Sequence, residues 1–373
     1  MKILHLPFNV ASQISITVRG LRALGVQARG LARRFSPIQD YSGIETMDWF
    51  GKPAPASRLW RGLRWRLKMM RLMAWADLIH WHWGGTTWRG MDLRLAAWLR
   101  KPRLVEFWGD DVRDPRVASR DNPALARMYE QNPELTWPRS QSTQRMFGRF
   151  GFQCLIPGYE LSDYLDAGAF AGYYQTQACL MLEDYEPRYP DASQARPLVV
   201  HAPSDKAKKG TEAVLSTLDN LARTHTFDFK LIHQIPRSQA LKTVAECDLF
   251  LDQFTIGAEG LASHEALALG KPVVCFIKPA LRPRYPDTLP IVAADQTTLT
   301  EAIAPLLKNG RQRHDLGIRG RQYIEQYHDA RKVAAGLIDI YKDLTDAAGN
   351  GAPLRSTRSW RPLTPPRGAK GVQ

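Results

Sequence analysis

RPLVVHAPSDKAKKGTEAVLSTLDNLARTHTFDFKLIH (196–233) is the stretch that decides the fold. RPLVVHAP (196–203) is an apolar run of strand length. TEAVLSTLDNLART (211–224) has the length and periodicity of a helix, and FDFKLIH (227–233) returns to a strand. A strand, a crossover helix and a second strand form one repeat of a parallel sheet.

The same alternation extends in both directions. Downstream, SQALKTVAEC reads as a helix, DLFLDQF (248–254) as a strand, SHEALALG as a helix and KPVVCFI (271–277) as a strand. Upstream, KILHL (2–6), VQARGLA, DLIHWHW (77–83), PRLVEFWG (102–109) and CLIPG (154–158) read as strands. Helices are expected over 13–25, ending at Gly25, and around 90–100. Between the halves lies EDYEPRYPDASQARP (183–197), whose Pro, Asp and Tyr content predicts an interdomain linker. The expected organisation is an α/β chain with two Rossmann-like domains, 1–185 and 197–345, facing each other across a cleft. Residues 346–373, rich in Gly, Pro and Arg, are expected to form a disordered basic tail. Open parallel sheets bind ligands at the carboxyl ends of their strands, so the ligand is expected there.

At 373 residues the chain is long enough for two cores. Its net charge of +14 is concentrated at the front: residues 1–100 hold 16 Lys or Arg against 5 Asp or Glu. Such a field attracts anionic membranes, acidic substrates or nucleic acid. No nucleic-acid-binding motif accompanies it, so no specific nucleic acid is expected. Cys154, Cys179, Cys247 and Cys275 lie far apart with no CxxC pair, which argues against a disulfide framework or zinc site and for a reducing compartment. MKILHLPF lacks the apolar stretch of a signal peptide, and no run reaches the roughly 18–20 apolar residues of a membrane span. A cytoplasmic protein is expected, soluble or peripheral on the inner face of a membrane.

Two segments carry chemistry. In HAPSDKAKKGTEAVL (201–215) a loop with Lys206, Lys208 and Lys209 leads through Gly210 into a helix. Lysines beside unsatisfied helix N–H groups suit a diphosphate; the alternative is a solvated loop capped by Thr211. In DQFTIGAEGLASHEALALGKPVV (252–274) Gly257 and Gly260 permit close backbone approach, and Ser263 is a plausible N-cap. Glu265 is then expected in the first helical turn, where it would accept hydrogen bonds from vicinal hydroxyls or merely complement the helix dipole.

Together these segments resemble glycosyltransferase family 4, the retaining enzymes of GT-B fold. The family's basic loop, Arg/Lys-x-x-Lys-Gly, falls on Lys206 and Lys209. The second Glu of its Glu-x7-Glu motif falls on Glu265, and the run that follows reads ALALGKPVV. The resemblance covers about residues 196–345; over the N-terminal half it is architectural. It implies transfer of a sugar from a UDP- or GDP-sugar to a glycan or lipid-linked acceptor with retention, as a hexosyltransferase. It also implies Lys206, Lys209, Gly257, Glu259, Gly260 and Glu265 as the donor site. Two departures stand out. The first Glu of the motif falls on Gly257, with Glu259 two residues away, and the family's His after the strand near 107 is Trp108 in EFWGDDVR. His82 and Asp110 are the catalytic candidates. His80 and His82 share a strand face, with His82 nearer the strand end.

No Walker A loop, no GxGxxG after the first strand and no GxSxG elbow are present. No Asp-x-Asp motif is present either, so neither a metal nor another cofactor is expected. The alternative function is a catalytically silent GT-B protein that binds nucleotide-sugar or glycan. SRLWRGLRWRLKMMRLMAWAD (57–77) carries a basic stripe, Arg61, Arg64, Lys68 and Arg71, and an apolar stripe, Leu59, Leu63, Leu67 and Met70. This suits a helix lying on an anionic membrane. It equally suits a surface helix whose leucines enter the core.

Overall fold

The computed structural model describes residues 1–34, 39–48, 55–135, 140–350 and 360–363. The expected alternation is present. Strands β1 (Lys2–Pro7), β2 (Gln27–Arg34), β3 (Glu45–Asp48), β4 (Leu78–His82), β5 (Arg103–Glu106), β6 (Gln153–Pro157) and β7 (Gly172–Thr176) form one sheet. Strands β8 (Leu198–His201), β9 (Asp228–Leu231), β10 (Leu249–Leu251), β11 (Val273–Cys275) and β12 (Val292–Ala293) form a second. A late strand, β13 (Trp360–Pro362), joins the first sheet, giving the order β13-β7-β6-β5-β4-β1-β2-β3; the second is β12-β11-β10-β8-β9. Every pairing is parallel except β13 on β7.

The chain divides into two compact units: Met1–Asp114, Trp137–Cys179 and Ala330–Gln373 in the first, Pro115–Thr136 and Leu180–Asp329 in the second. This differs from the boundaries expected at 185 and 197. The Pro-rich stretch is no free linker but packs within the second unit. Tyr185 Oη donates to Glu265 at 3.1 Å, Arg188 N donates to the Leu269 carbonyl at 2.9 Å, and His314 Nδ1 lies 2.9 Å from the Pro190 carbonyl. The end of the chain differs too. Helix Ala330–Asn350 belongs to the first unit, so residues 346–350 finish a helix, and Trp360–Pro362 is a strand. The remainder of the expected tail, 351–359 and 364–373, lies outside the described residues. Gly20 explains how the returning helix docks. It sits in helix Gln13–Ala23, and a Cβ there would lie 2.6 Å from the Ala330 carbonyl oxygen.

Central strands of both sheets are buried on both faces, as parallel sheets require. On β4, Ile79 and Trp81 face one way, with Trp81 edge-on to Phe147 and Phe152 at 6.2 and 6.1 Å. His80 and His82 face the other way. In the second unit Val199, Leu249, Leu251 and Val274 from the strands meet Val214 and Leu218 from helix Thr211–Leu221. All four cysteines are buried and none is in a disulfide.

Helix Pro55–Trp75 resolves the two readings of its stripes. Trp65, Met69, Leu72 and Met73 form the buried face, so the expected apolar stripe does not enter the core. Leu59, Trp60 and Leu67 are 78%, 66% and 52% exposed, and Leu63 and Met70 are exposed as well. Lys68 leaves the expected basic stripe to pair with Glu45 at 2.6 Å, while Arg64, Arg66 and Arg71 remain exposed. None of the described helices is long and apolar enough to cross a membrane.

Candidate functional site

Beyond the end of β8 the chain forms a single helical turn, Lys206–Lys209. Asp205 caps it by accepting from Lys208 N at 3.0 Å, and Gly210 ends it with φ +68 before helix Thr211–Leu221 begins. The lysines therefore lie on their own short turn, not on the N-terminus of the longer helix. Lys206 is exposed. Lys209 turns inward to form an ion pair with Asp252, the first residue past β10. Its ammonium group keeps a partly open position, at 13% side-chain exposure against 1% for Asp252.

Asp252 ties the lysine turn to the glycine loop. Its Oδ2 accepts from Ser263 Oγ at 2.5 Å and from Gly260 N at 3.2 Å. Burial works to raise its pKa, but Lys209, Ser263 and the Gly260 N–H together hold it below the ordinary carboxylate value. Gly260, not Ser263, is the N-cap of helix Leu261–Ala268. A Cβ on Gly260 would sit 3.3 Å from both Asp252 Oδ2 and Lys209 Nζ, so the missing side chain lets the three groups meet. The first N–H groups of this helix have no intrahelical acceptor.

Glu265 falls in the second helical turn, later than expected, because the helix starts at Leu261. Its Oε1 accepts from Arg237 Nε at 3.0 Å, from Arg237 Nη2 and from Tyr185 Oη at 3.1 Å. Among the described residues Oε2 has no hydrogen bond, and the side chain is 21% exposed. Burial raises the Tyr185 pKa, and the Glu265 charge raises it further, so the phenol stays a donor.

Gly257 has φ +89, and a Cβ there would lie 2.5 Å from Lys278 Cγ and 3.0 Å from Phe276 Cε1. A side chain at this position would strain the backbone and press on Lys278 and Phe276. Glu259 is turned inward to Tyr285 Oη and lies 3.6 Å from His264 Nε2. The loop is held from another part of the chain by Asn122, whose Nδ2 donates to the Thr255 and Ile256 carbonyls at 2.7 and 3.1 Å.

Behind the lysine turn, His201 Nδ1 lies 2.9 Å from the Leu251 carbonyl and Nε2 lies 2.9 Å from Thr211 Oγ1. A carbonyl only accepts, so Nδ1 carries the proton and Nε2 accepts from the hydroxyl. Burial lowers this pKa to about 4, and the imidazole is neutral near pH 7.

In the first unit the catalytic candidates separate. His82 is fully buried, with Nε2 2.9 Å from His5 Nδ1 and Nδ1 3.0 Å from Glu106 Oε2, and Trp108 stacks beyond it at 6.4 Å. It does not have the open placement expected at the strand end. Burial alone would raise Glu106, yet the two imidazoles beside it, His80 and His82, bring it to about 2. Asp110 is 34% exposed and accepts from Arg113 Nη1 at 3.0 Å. Arg113 is in turn held by Glu160 through Nε and Nη2 at 3.0 and 2.8 Å. Asp111 is a loop organiser: its carboxylate accepts from the N–H groups of Trp108, Gly109 and Gly84 at 2.9–3.0 Å.

Sequence reasoning missed Asp252, Arg237, Tyr185 and Asn122. Asp252 carried a signal, since an acid directly after the buried run LFL needs a cation or donors. Arg237 and Tyr185 lie 28 and 80 residues from Glu265, and nothing local marks them.

No family model matches the sequence, and no curated protein does. Solved structures do match. A sucrose-phosphate synthase from Thermosynechococcus elongatus is 13% identical, superposes with a TM-score of 0.62, and is matched over 93% of this chain and 100% of that one. A glycosyltransferase from Rickettsia africae gives 9% identity and a TM-score of 0.58 over 92% of this chain and 97% of that one. Anabaena HepE in complex with UDP gives 15% identity and a TM-score of 0.56 over 92% and 100%. At such identities the likeness establishes the fold: this chain has the GT-B fold, with two Rossmann-like domains.

Proposed function

We propose that this protein transfers a glycosyl group from a UDP- or GDP-sugar to a glycan or glycolipid acceptor, with retention. The observation that carries the proposal is the cluster of Lys209, Asp252 and Gly260 at the start of helix Leu261–Ala268, with Glu265 further along the same helix. The fold is shared with a protein whose structure holds UDP.

In this reading Lys209 and Lys206 neutralise the diphosphate, where negative charge develops as the glycosidic bond breaks. Asp252 aims Lys209, and the helix N–H groups add partial positive charge. Glu265 offers its unused Oε2 to the ribose hydroxyls while Arg237 and Tyr185 fix the other oxygen. Backbone groups of Gly257–Gly260 meet the phosphate or sugar. Asp110 is assigned to the acceptor. No divalent metal is needed at the diphosphate, because the lysines carry its charge. The test is turnover on a panel of UDP-, GDP-, ADP- and TDP-sugars, with and without EDTA. Hydrolysis or transfer from one of them, unchanged by brief EDTA treatment, is expected. Turnover that stops at once in EDTA and returns with Mg²⁺ or Mn²⁺ would overturn the metal-free diphosphate site.

A second reading, a silent protein that binds nucleotide-sugar without turnover, is favoured by one observation: His82 is sealed and its nitrogens face His5 and Glu106. Calorimetric binding of a nucleotide-sugar with no product under any condition would select it.

The exposed face of helix Pro55–Trp75 supports an acceptor held at an anionic membrane surface, the inner face of a cytoplasmic membrane. Leu59, Leu63 and Leu67 enter the acyl boundary while Arg64, Arg66 and Arg71 meet headgroups. Each basic residue near such a surface adds about 1 kcal/mol, an attraction that fades with salt. Flotation of the full chain with anionic vesicles at low salt is expected, with loss in Arg64→Glu/Arg66→Glu/Arg71→Glu. Equal flotation of the triple variant would remove this helix as the docking element.

A further inference from the structure

A groove of about 1030 Å³ opens in the first unit beside helices Met91–Trp98 and Ser140–Arg149, and none of its lining residues belongs to the donor or acceptor site proposed above. Four arginines line it: Arg89 and Arg94 from one side, Arg145 and Arg149 from the other, all exposed. Helical spacing explains the second pair. Ser140–Arg149 buries Phe147 against Trp81 of β4, with ring centroids 6.2 Å apart. Arg145 and Arg149, four residues apart, therefore share the outward face. Arg145 pairs with Asp166 at 2.7 Å; among the described residues no carboxylate forms an ion pair with the other three.

The loop that carries Arg89 is held in place. Asp92, fully buried, accepts through Oδ2 from Thr87 N at 2.6 Å, Thr87 Oγ1 at 2.9 Å and Trp88 N at 3.1 Å. Arg89 has φ +50, a left-handed backbone that an arginine adopts only where its surroundings impose it. The same loop joins the groove to helix Pro55–Trp75. Trp65 Nε1 donates to Thr87 Oγ1 at 3.1 Å, and the Arg66 guanidinium lies 4.9 Å from the centroid of the Trp88 ring.

Three guanidinium groups without a carboxylate repel one another, and an anion among them relieves the repulsion. Guanidinium meets phosphate through two parallel N–H···O bonds. A phosphomonoester offers three acceptor oxygens and close to two negative charges, more than a phosphodiester can. The surroundings are amphipathic. Met146 and Phe150 line the groove half-buried. Met91, Arg94 and Trp98 lie on one stripe of their helix, with Met91 44% and Trp98 76% exposed. Arginines bordered by exposed Met and Trp fit the boundary between headgroups and acyl chains. The exposed leucines of helix Pro55–Trp75 continue that surface, and they have nothing to offer a nucleic acid.

We propose that this groove binds the headgroup of an anionic phospholipid that carries a terminal phosphate, of which phosphatidic acid is the simplest. The proposal rests on the reading of helix Pro55–Trp75 as membrane-facing and adds selection to it. The helix supplies an attraction to any anionic surface; Arg89, Arg94 and Arg149 distinguish one headgroup from another.

The test is flotation of the full chain with phosphatidylcholine vesicles matched in surface charge, about 10% phosphatidic acid in one set and about 20% phosphatidylglycerol in the other. Half-maximal binding is expected at about tenfold less lipid with phosphatidic acid. Arg89→Gln/Arg94→Gln/Arg149→Gln is expected to lose that preference and keep its binding to phosphatidylglycerol. The three side chains are exposed, so the variant should melt with the wild type; Arg94→Gln alone carries the comparison if it does not. Equal binding of the two compositions by the wild type, or a preference kept by the folded variant, would overturn the groove and leave the helix reading standing. A wild-type chain that floats with neither composition removes both. Glycerol 3-phosphate separates the sources of the phosphate. It is expected not to displace the chain from phosphatidic acid vesicles, and tight calorimetric binding of it through these arginines would replace the lipid by a free phosphorylated compound. Displacement by polyuridylate that the wild type binds and the variant does not would assign the groove to nucleic acid instead. Hydrolysis of a nucleotide-sugar without lipid is expected to be unchanged in the variant, so the transferase reading stands or falls separately.

Discussion

At the carboxyl end of β10 the second unit places Asp252 against Lys209, whereas at the carboxyl ends of β4 and β5 the first unit places His82 against Glu106. Both pairs set a carboxylate at the centre of a parallel sheet, but their settings differ. Asp252 lies one residue past its strand, its partner rides on a loop, and the Lys209 side chain keeps 13% exposure. Nearby Glu265 and Arg237 keep 21% and 31%. His82 and Glu106 are the last residues within their strands, and both are buried, at 0% and 4% exposure. Position relative to the strand end therefore separates a charge available to a ligand from one committed to the interior.

The largest effect expected from breaking this contrast is in Asp252→Asn. It removes the partner of a mostly buried ammonium and should cost about 3 kcal/mol of stability, read by urea unfolding. A loss below a few tenths of a kcal/mol would show that Lys209 finds another partner and that Asp252 does not hold the two loops together. His201, behind the same loop, gives a pH signature of similar size. Its folded pKa of about 4 lies below the unfolded value near 6.5, so the unfolded chain binds more protons between these values. Stability from this residue is full above about pH 6.5 and is lost as the pH falls towards 4, on the order of 3 kcal/mol in all. The difference between wild type and His201→Asn across that window should show it; parallel curves would mean that His201 titrates normally.

Lys209→Ala and Glu265→Ala sharpen the contrast at the level of binding. Each removes a charge-assisted contact and should weaken nucleotide-diphosphate affinity by about ten- to a hundredfold in calorimetric titration. His82→Asn, in the sealed cluster, should leave that affinity unchanged while lowering the melting temperature. The reverse pattern would exchange the roles assigned to the two clusters. A smaller effect is expected in Gly257→Ala. Its φ of +89 and the 2.5 Å approach to Lys278 Cγ should cost about 1–2 kcal/mol. Gly260→Ala, whose backbone is ordinary at φ −108, should cost less and act on Lys209 instead.

The strands and most helices were legible because burial on two faces leaves short apolar runs, and these are local patterns. β3, β7, β12 and β13 were not read, since GYYQT, VA and WRP carry little apolar periodicity and form by pairing with strands already in place. The proposed donor loop was readable in its residue types, Lys209, Gly260 and Glu265, but not in its wiring. Ser263 was read as the cap that Gly260 supplies, because both residue types cap helices and only the backbone distinguishes them.

What the sequence determined by itself is what depends on neighbours along the chain: alternating strands and helices, the lysine turn, the glycine loop, and the excess of positive charge at the front. Tertiary structure alone decided which leucines of helix Pro55–Trp75 face outward, that the last long helix returns to the first unit, and that His5 joins His80 and His82. A stripe on a helix has no inside until a partner covers the opposite face. Trp65 and Met69 fill that role here because together they bury more apolar surface than Leu59 and Leu63, and the helix turns accordingly.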